Sequence, residues 1–478
     1  MLFNSYAFIF LFLPISLIVY LFLNSRNLFT LSRLWLFLAS LFFYGWWDMK
    51  YVLLILASIL FNYMAGTALL KNKSRPILVF GICANILLLF YYKYVDFFIY
   101  NINYLTGLQA SLLNIILPLG ISFFTFTQIA FLVDSYRGEA KEYSLLNYCL
   151  FVTFFPHLLA GPIIHHKEMM PQFEDTKNKS LNYRNLSLGI SLFFIGLFKK
   201  VVIADTLLVY ANNGFDITSS LQFIEAWQTS LAYTFQLYFD FSGYTDMALG
   251  SALMFNIVLP VNFNSPYKAL NIQDFWKRWH MTLSRFLRDY IYIPLGGSRV
   301  SEQRTLINLT LVFLIGGLWH GAGWLFVIWG GLHGLATVTH RLWGKLNLRM
   351  PKALAWFLTF NFVNITWVFF RAKSVKDAMK VLQGMFGLNG FGLQDIYANS
   401  SALIKDYNIR LLMKNTSFSE QALLMILVAL LVSLLFRNSN EIAMRFKPNL
   451  AFLIITVLLT AISVLYLGKH SEFLYFRF

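Results

Sequence analysis

The sequence predicts an all-α, polytopic integral membrane protein folded as one domain over residues 1–478. Three observations carry this. The chain is 58% hydrophobic and only 13% charged, more apolar surface than a water-soluble protein of its length could hide. Apolar runs long enough to cross a bilayer, about 17–25 residues each and roughly ten to twelve in number, recur from end to end. Between them the Lys and Arg residues collect in short loops, so the net charge of +16 reads as a positive-inside pattern with possible contact to anionic lipid. A basic mouth for a phosphate-bearing substrate is the second reading of that charge; nucleic acid, the usual reading for a soluble protein, is set aside. The aromatic content suits belts at both membrane interfaces. Cys83 and Cys149 stand in apolar segments without CxxC spacing and read as small core residues, with neither a disulfide framework nor a metal site.

In chain order, nothing basic precedes the first apolar run, 7–23, and Arg26 and Arg33 follow it. It is therefore expected to be an uncleaved anchor with the N-terminus outside. Segment 34–47 returns to a Gly45-Trp46-Trp47 interface cluster. Segment 51–70 runs in to Lys71, Lys73 and Arg75, and 76–100 runs out to an uncharged loop, 101–111. Segment 112–133 leads back to the charged DSYRGEAKE. These five crossings agree with one orientation. Residues 145–164 contain Pro156, His157, Gly161 and Pro162, so that segment is expected to be broken or re-entrant.

Segment 186–203 ends in Lys199-Lys200, and 226–239 runs into the cluster Asp240 to Asp246. Carboxylates in apolar sequence are expected to face an aqueous cavity or a basic partner. Residues 271–290 read as one amphipathic interfacial helix. Phe275, Trp276, Trp279, Leu283, Phe286, Leu287 and Tyr290 form its floor; Lys277, Arg278, Arg285 and Arg288 form its roof, and His280 lies at the border. The stretch 310–334, TLVFLIGGLWHGAGWLFVIWGGLHG, places His320 and His333 in a glycine-rich, uncharged setting. An imidazole at membrane depth is a functional candidate, with packing as its bland alternative. Segments 353–370, 421–436 and 450–467 close the bundle, and 388–419 is its longest polar connection.

Three blocks together resemble the membrane-bound O-acyltransferase family: FWKRWHMTLSRFLRDYIYIPLGGSR (275–299), GGLWHGAGWLFVIWGGLHG (316–334) and FVTFFPHLLAGPI (151–163). Others, among them ILPLGISFFTFTQIAFLVDSYRG (116–138), LFKKVVIAD (197–205), YFDFSGYTDMALG (238–250) and the terminal FLYFRF, point to its bacterial branch of alginate and peptidoglycan O-acetyltransferases and teichoic-acid D-alanyl transferases. The resemblance covers essentially the whole chain. It implies a ring of tilted helices around a tunnel in a bacterial cytoplasmic membrane, with a cytosolic thioester donor and an outward-facing acceptor. The donor is acetyl-coenzyme A or an acyl carrier protein, and no bound cofactor is implied.

The family's invariant histidine falls on His320 and its second polar position on His280. A thioester acyl transfer needs a base for the attacking hydroxyl and a donor for the oxyanion. His320 is expected to be the base, with His280 orienting the thioester or stabilising the oxyanion. Lys277, Arg278, Arg285 and Arg288, with Trp279 and Trp324, are expected to hold the donor. Tyr475, in the C-terminal aromatic motif 473–478, is by resemblance an acyl relay, with an interfacial belt as the alternative. His157, Asp240, Asp246 and His333 are expected to support the site, and no histidine spacing argues for metal. The implied acceptor is an alginate-like exopolysaccharide or peptidoglycan, reached through a periplasmic lipase-like partner, because no loop here is long enough to grip a polymer. The alternatives are D-alanyl transfer to a teichoic-acid-type polymer and a transporter or channel without covalent chemistry.

Overall fold

The computed structural model describes residues 1–140, 144–391, 419–468 and 473. No β-strand occurs among them, as expected where every backbone group in hydrocarbon must find its partner within its own segment.

A wide π-type turn leads into α1 (Leu13–Ser25), which packs on α2 (Phe29–Gly45). α3 (Lys50–Asn72) follows. α4 (Arg75–Leu89) passes through a second π-type turn, Phe90–Tyr94, into α5 (Val95–Thr106). α6 (Ile121–Arg137) returns. Next, α7 (Leu145–Thr153) breaks at Phe154, and the single turn α8 (Phe155–Leu158) follows it. The chain then comes back to α9 (His166–Glu174) on the side where α7 began, since both Asn147 and His166 contact residues of that side, Arg33 and Asp134. Pro156 cannot continue the ladder, so 145–164 is a re-entrant hairpin, one of the two readings its prolines suggested.

α10 (Tyr183–Phe198) continues through a π-type turn at Lys199–Ala204 into α11 (Asp205–Asn212), and both pack on α12 (Phe223–Met254). α12 is buried on nearly every face. The short α13 (Ile272–Trp276) and α14 (Met281–Leu287) precede the pair α15 (Glu302–His320) and α16 (Trp324–Lys345). α17 (Lys352–Arg371), α18 (Val375–Met385), α19 (Glu420–Leu435), α20 (Ser439–Met444) and α21 (Leu450–Tyr466) complete the bundle.

Among the described residues, five helical stretches are long and apolar enough to cross a bilayer: Ala7–Ser25, Lys50–Asn72, Arg75–Thr106, Tyr183–Ile217 and Lys352–Arg371. Phe29–Gly45, Glu420–Leu435 and Leu450–Tyr466 are shorter apolar helices. α6 and α12 are buried along most of their length and carry polar residues among protein neighbours, whereas α15 and α16 pack on each other through glycines and leave apolar residues such as Ile307, Leu311, Ile328 and Leu335 exposed. The two ends of the bundle differ in charge. At the basic end, Lys73 lies against Gly138, Arg285 pairs with Glu168, and Arg341 and Lys345 pair with Glu302. At the opposite end, Tyr51 bonds the Ile116 carbonyl and Trp324 bonds Asn101.

Candidate functional site

The expected single helix over 271–290 is not what forms. Asn271 caps α13 through the Asp274 N–H, but α13 stops at Trp276. His280 then adopts φ 44°, ψ 53°, a left-handed conformation uncommon outside glycine. The physical reason lies in Trp279 and His280. A continuous helix would leave neighbouring side chains about 100° apart, whereas here both are buried. Trp279 sits among Phe263, Phe275 and Trp367, with ring centroids 5.0–5.7 Å away. His280 lies 4.9 Å from Phe241. The kink turns both inward and keeps Lys277 at the surface of a cavity.

His320 is the last residue of α15, and the chain beyond it is extended through Gly321 and Gly323. α15 and α16 meet on glycines: a methyl group on Gly317 would lie 2.3 Å from the Phe326 carbonyl, and one on Gly330 2.4 Å from that of Phe313. That approach packs the His320 ring 5.1 Å from both Trp329 and Phe370. The ring centroids of His280 and His320 stand 6.4 Å apart, with Trp319 beside both.

Lys93 was not singled out in the sequence. It lies in the π-type turn before α5, and its ammonium donates to the carbonyls of Trp319 (2.6 Å) and His320 (3.1 Å) and to Ser122 Oγ (3.4 Å). A cation at a helix C-terminus is electrostatically favourable, and here it caps the helix that carries His320. An ionisable residue inside an apolar span was the signal that could have found it. Asn262 was missed as well: its Oδ1 lies 3.1 Å from His280 Nδ1.

Among the described residues, two cavities approach this pair. A small one of about 40 Å³ is lined by Lys93, Gly120, Ser122, Trp319 and His320 and faces the end away from the basic loops. A larger one of about 590 Å³ at the basic end is lined by Trp276, Lys277, Thr282, Ser284, Arg285 and Arg288 among others. Thr282 hydrogen-bonds Asn262 Oδ1, so one polar step separates the larger cavity from His280.

Other expected donor contacts are placed elsewhere. Arg278 turns to Asp274 and the Asn264 carbonyl, because the kink rotates it off the face it would share with Lys277. Trp279 is core. Trp324 is largely exposed at the opposite end and donates to Asn101. Arg285 and Arg288 line the cavity while paired with Glu168 and Asp289.

Asp240 pairs with Lys200 at 2.6 Å, and Lys200 also holds Asp205; Asp246 is held by Lys199 and Ser439. His333 accepts from the Trp276 indole at 3.2 Å and lies 3.0 Å from Thr366 Oγ1. His157 is buried in the re-entrant turn beside Phe154. Tyr475 lies outside the described residues. Its near neighbour Phe473 is buried, 4.4 Å from Tyr244 and 6.2 Å from Phe241, the ring against His280.

Spacing gave no metal site, yet Asp134, His165 and His166 bring potential ligand atoms within 4.8 Å of one another. They form a hydrogen-bonded hub in which His165, His166 and the Tyr290 hydroxyl, at 2.8, 3.1 and 2.7 Å, converge on Asp134 Oδ2. Burial pushes the His166 pKa down, the Asp134 carboxylate opposes that, and His165 and Lys167 add to the lowering.

Residues 48–375 match the membrane-bound O-acyltransferase family. Over its whole length the chain is 48% identical to a peptidoglycan O-acetyltransferase of Helicobacter pylori, covering 98% of that protein. It is 39% identical to a probable alginate O-acetylase of Pseudomonas aeruginosa, over 83% of this chain and 77% of the relative. It is 29% identical to a teichoic acid D-alanyltransferase of Bacillus subtilis, over 54% of this chain and 70% of the relative.

Proposed function

The chain belongs to the membrane-bound O-acyltransferase family and is an O-acyltransferase, and from that premise we propose that it takes an acetyl group from acetyl-coenzyme A at its basic end and delivers it at the opposite end for O-acetylation of a cell-envelope polysaccharide. The observation that carries this is the meeting of His280 and His320 between a basic cavity and a second cavity toward the other end. Lys277, Arg285 and Arg288 suit the phosphates of coenzyme A, which guanidinium groups bind in bidentate fashion. His320 is the base: the hydroxyl proton passes to its imidazole, the oxygen bonds the acyl carbon, the C–S bond breaks, and the thiolate leaves with a proton as the thiol.

Peptidoglycan is the favoured acceptor, on the strength of the full-length relative of that name; D-alanyl transfer is supported only by more distant relatives over about half of the chain. The basic end is cytosolic, in a bacterial inner membrane with the N-terminus outside, and the acyl group passes to a separate periplasmic acetyltransferase. Tyr475 relays it.

The test is transfer of labelled acetyl groups from acetyl-coenzyme A by the protein in vesicles. Loss of a general base costs about 10²–10⁴-fold, so His320→Ala is expected to fall at least that far, and wild-type transfer by it would remove His320 from the mechanism. For the relay, acetylated Tyr475 is expected in the C-terminal peptide by mass spectrometry. Full acceptor acetylation by Tyr475→Phe would defeat that step alone.

A further inference from the structure

Asn262 stands on the stretch between α12 and α13 and belongs to none of the roles assigned above. We propose that it is a positioning residue that commits His280 to the tautomer with hydrogen on Nδ1, so that Nε2 meets the reacting groups as a hydrogen-bond acceptor beside His320 and not as a donor to the oxyanion. This deepens the acyl-transfer reading and rests on it.

The other partners of Asn262 decide which atom of its amide faces His280. The same atom lies 3.3 Å from the backbone N of Thr282 and 3.0 Å from its Oγ1. A backbone N–H can only donate. The Thr282 hydroxyl oxygen already accepts from the Ile163 N–H at 2.9 Å, which leaves its proton to point at Asn262. Two donors aimed at one atom require the carbonyl oxygen there, not the amide nitrogen. That oxygen has no hydrogen to give, so at 3.1 Å the hydrogen must be on His280 Nδ1. A neutral imidazole carries one N–H, so Nε2 presents a lone pair.

The backbone reinforces the side chain. The Asn262 carbonyl accepts from Met281 N at 3.0 Å, and Asn264 N donates to the Arg278 carbonyl at 2.9 Å. The segment 262–264 therefore clamps both sides of the kink at which His280 holds its left-handed conformation. Such a backbone persists where its surroundings over-determine it.

The consequence separates the roles of the two histidines from the expectation drawn from sequence. Neutral His280 cannot hydrogen-bond a developing oxyanion through Nε2; its lone pair can only accept, and it orients the substrates by a hydrogen bond while the hydroxyl proton passes to His320, the oxygen–carbon bond forms, the C–S bond breaks, and the His320 imidazolium returns the proton to the leaving thiolate.

Two variants of the full chain in vesicles test this. Asn262→Leu keeps the branched outline and deletes the acceptor, and Asn262→Asp keeps the acceptor and adds charge. Partners that orient a reacting imidazole are worth about 10–100-fold, so Asn262→Leu is expected to lose that in kcat, with KM for acetyl-coenzyme A within about three-fold of wild type. A carboxylate at Nδ1 favours the imidazolium. Asn262→Asp is therefore expected to stay active and to move the acid limb of the pH–rate profile to higher pH. A purely structural role would not move that limb. A wild-type rate in Asn262→Leu overturns the inference, as does an unshifted or wholly inactive Asn262→Asp that is folded. If Asn262→Leu does not fold, the limb of Asn262→Asp decides. His320→Ala runs in parallel: full transfer there defeats the reading of His320 as base whatever Asn262 does, whereas its loss beside an unshifted Asn262→Asp profile defeats only the tautomer.

Discussion

His333 and His280 are both fully buried, and the protein holds them in opposite tautomers. The Trp276 indole N–H can only donate, so His333 Nδ1 accepts and its Nε2–H faces Thr366 Oγ1, whose own proton goes to the Val363 carbonyl. With both nitrogens taken up this way, His333 fixes Trp276, a wall of the basic cavity. We expect His333→Leu to cost about 1–3 kcal/mol, the usual penalty for stranding a buried donor, and to raise KM for acetyl-coenzyme A more than it lowers kcat. Unchanged unfolding temperature and KM would refute this. His166 gives a residue-level pH dependence. Its folded pKa lies below the ordinary 6.5, so below about pH 6.5 the unfolded chain binds the proton more readily and stability falls with pH. His166→Gln can still donate to Asp134 without titrating, and is expected to flatten the drop in unfolding temperature between pH 7 and pH 5. An equal drop in both proteins would count against His166 as its source.

At the scale of elements, the position of His320 is set by how closely α15 and α16 approach. Gly317 and Gly330 face each other's helix backbone, so a methyl group on either must push the helices apart, whereas one on Gly331 would make only ordinary contact with Leu314. Overpacking of this kind costs about 1–3 kcal/mol. Gly317→Ala and Gly330→Ala are therefore expected to lower both stability and transfer, with Gly331→Ala close to wild type in both. Equal behaviour of the three would mean that close approach does not set the site. The glycine-rich pattern around His320 made this much legible in the sequence. The stretch 271–290 was not legible in the same way. A helical wheel averages over twenty positions and sees one apolar face, but it cannot register that Trp279 and His280 both need the interior, which breaks the helix and turns Arg278 away. Lys93 and Asn262 escaped because each acquires its meaning from a partner far along the chain, Lys93 from the end of α15 and Asn262 from the kink at His280.

For the whole molecule, the decisive property is that its two ends are chemically unlike. The distribution of Lys and Arg was readable as sequence, because loop charge is local, and a basic partner was one of the two surroundings expected for Asp240; that the partner is Lys200 was not readable, because this ion pair joins segments that periodicity treats separately. Under the proposed function, the contrast between the ends gives the reaction a direction. A donor bearing phosphates is attracted to Lys277, Arg285 and Arg288, and short loops rich in Lys and Arg stay in the cytosol. On the proposed function the same end is both the donor side and the inner side. Single cysteines test this directly, in a protein whose native Cys83 and Cys149 are replaced. Tyr104 is exposed in the last turn of α5, and Leu346 is exposed after α16 beside the Arg341 and Lys345 cluster. In intact cells a membrane-impermeant thiol reagent is expected to label Tyr104→Cys at once and Leu346→Cys only after permeabilisation. The reverse pattern would place the basic cavity outside, where there is no coenzyme A to bind, and the direction of transfer argued here would fall with it.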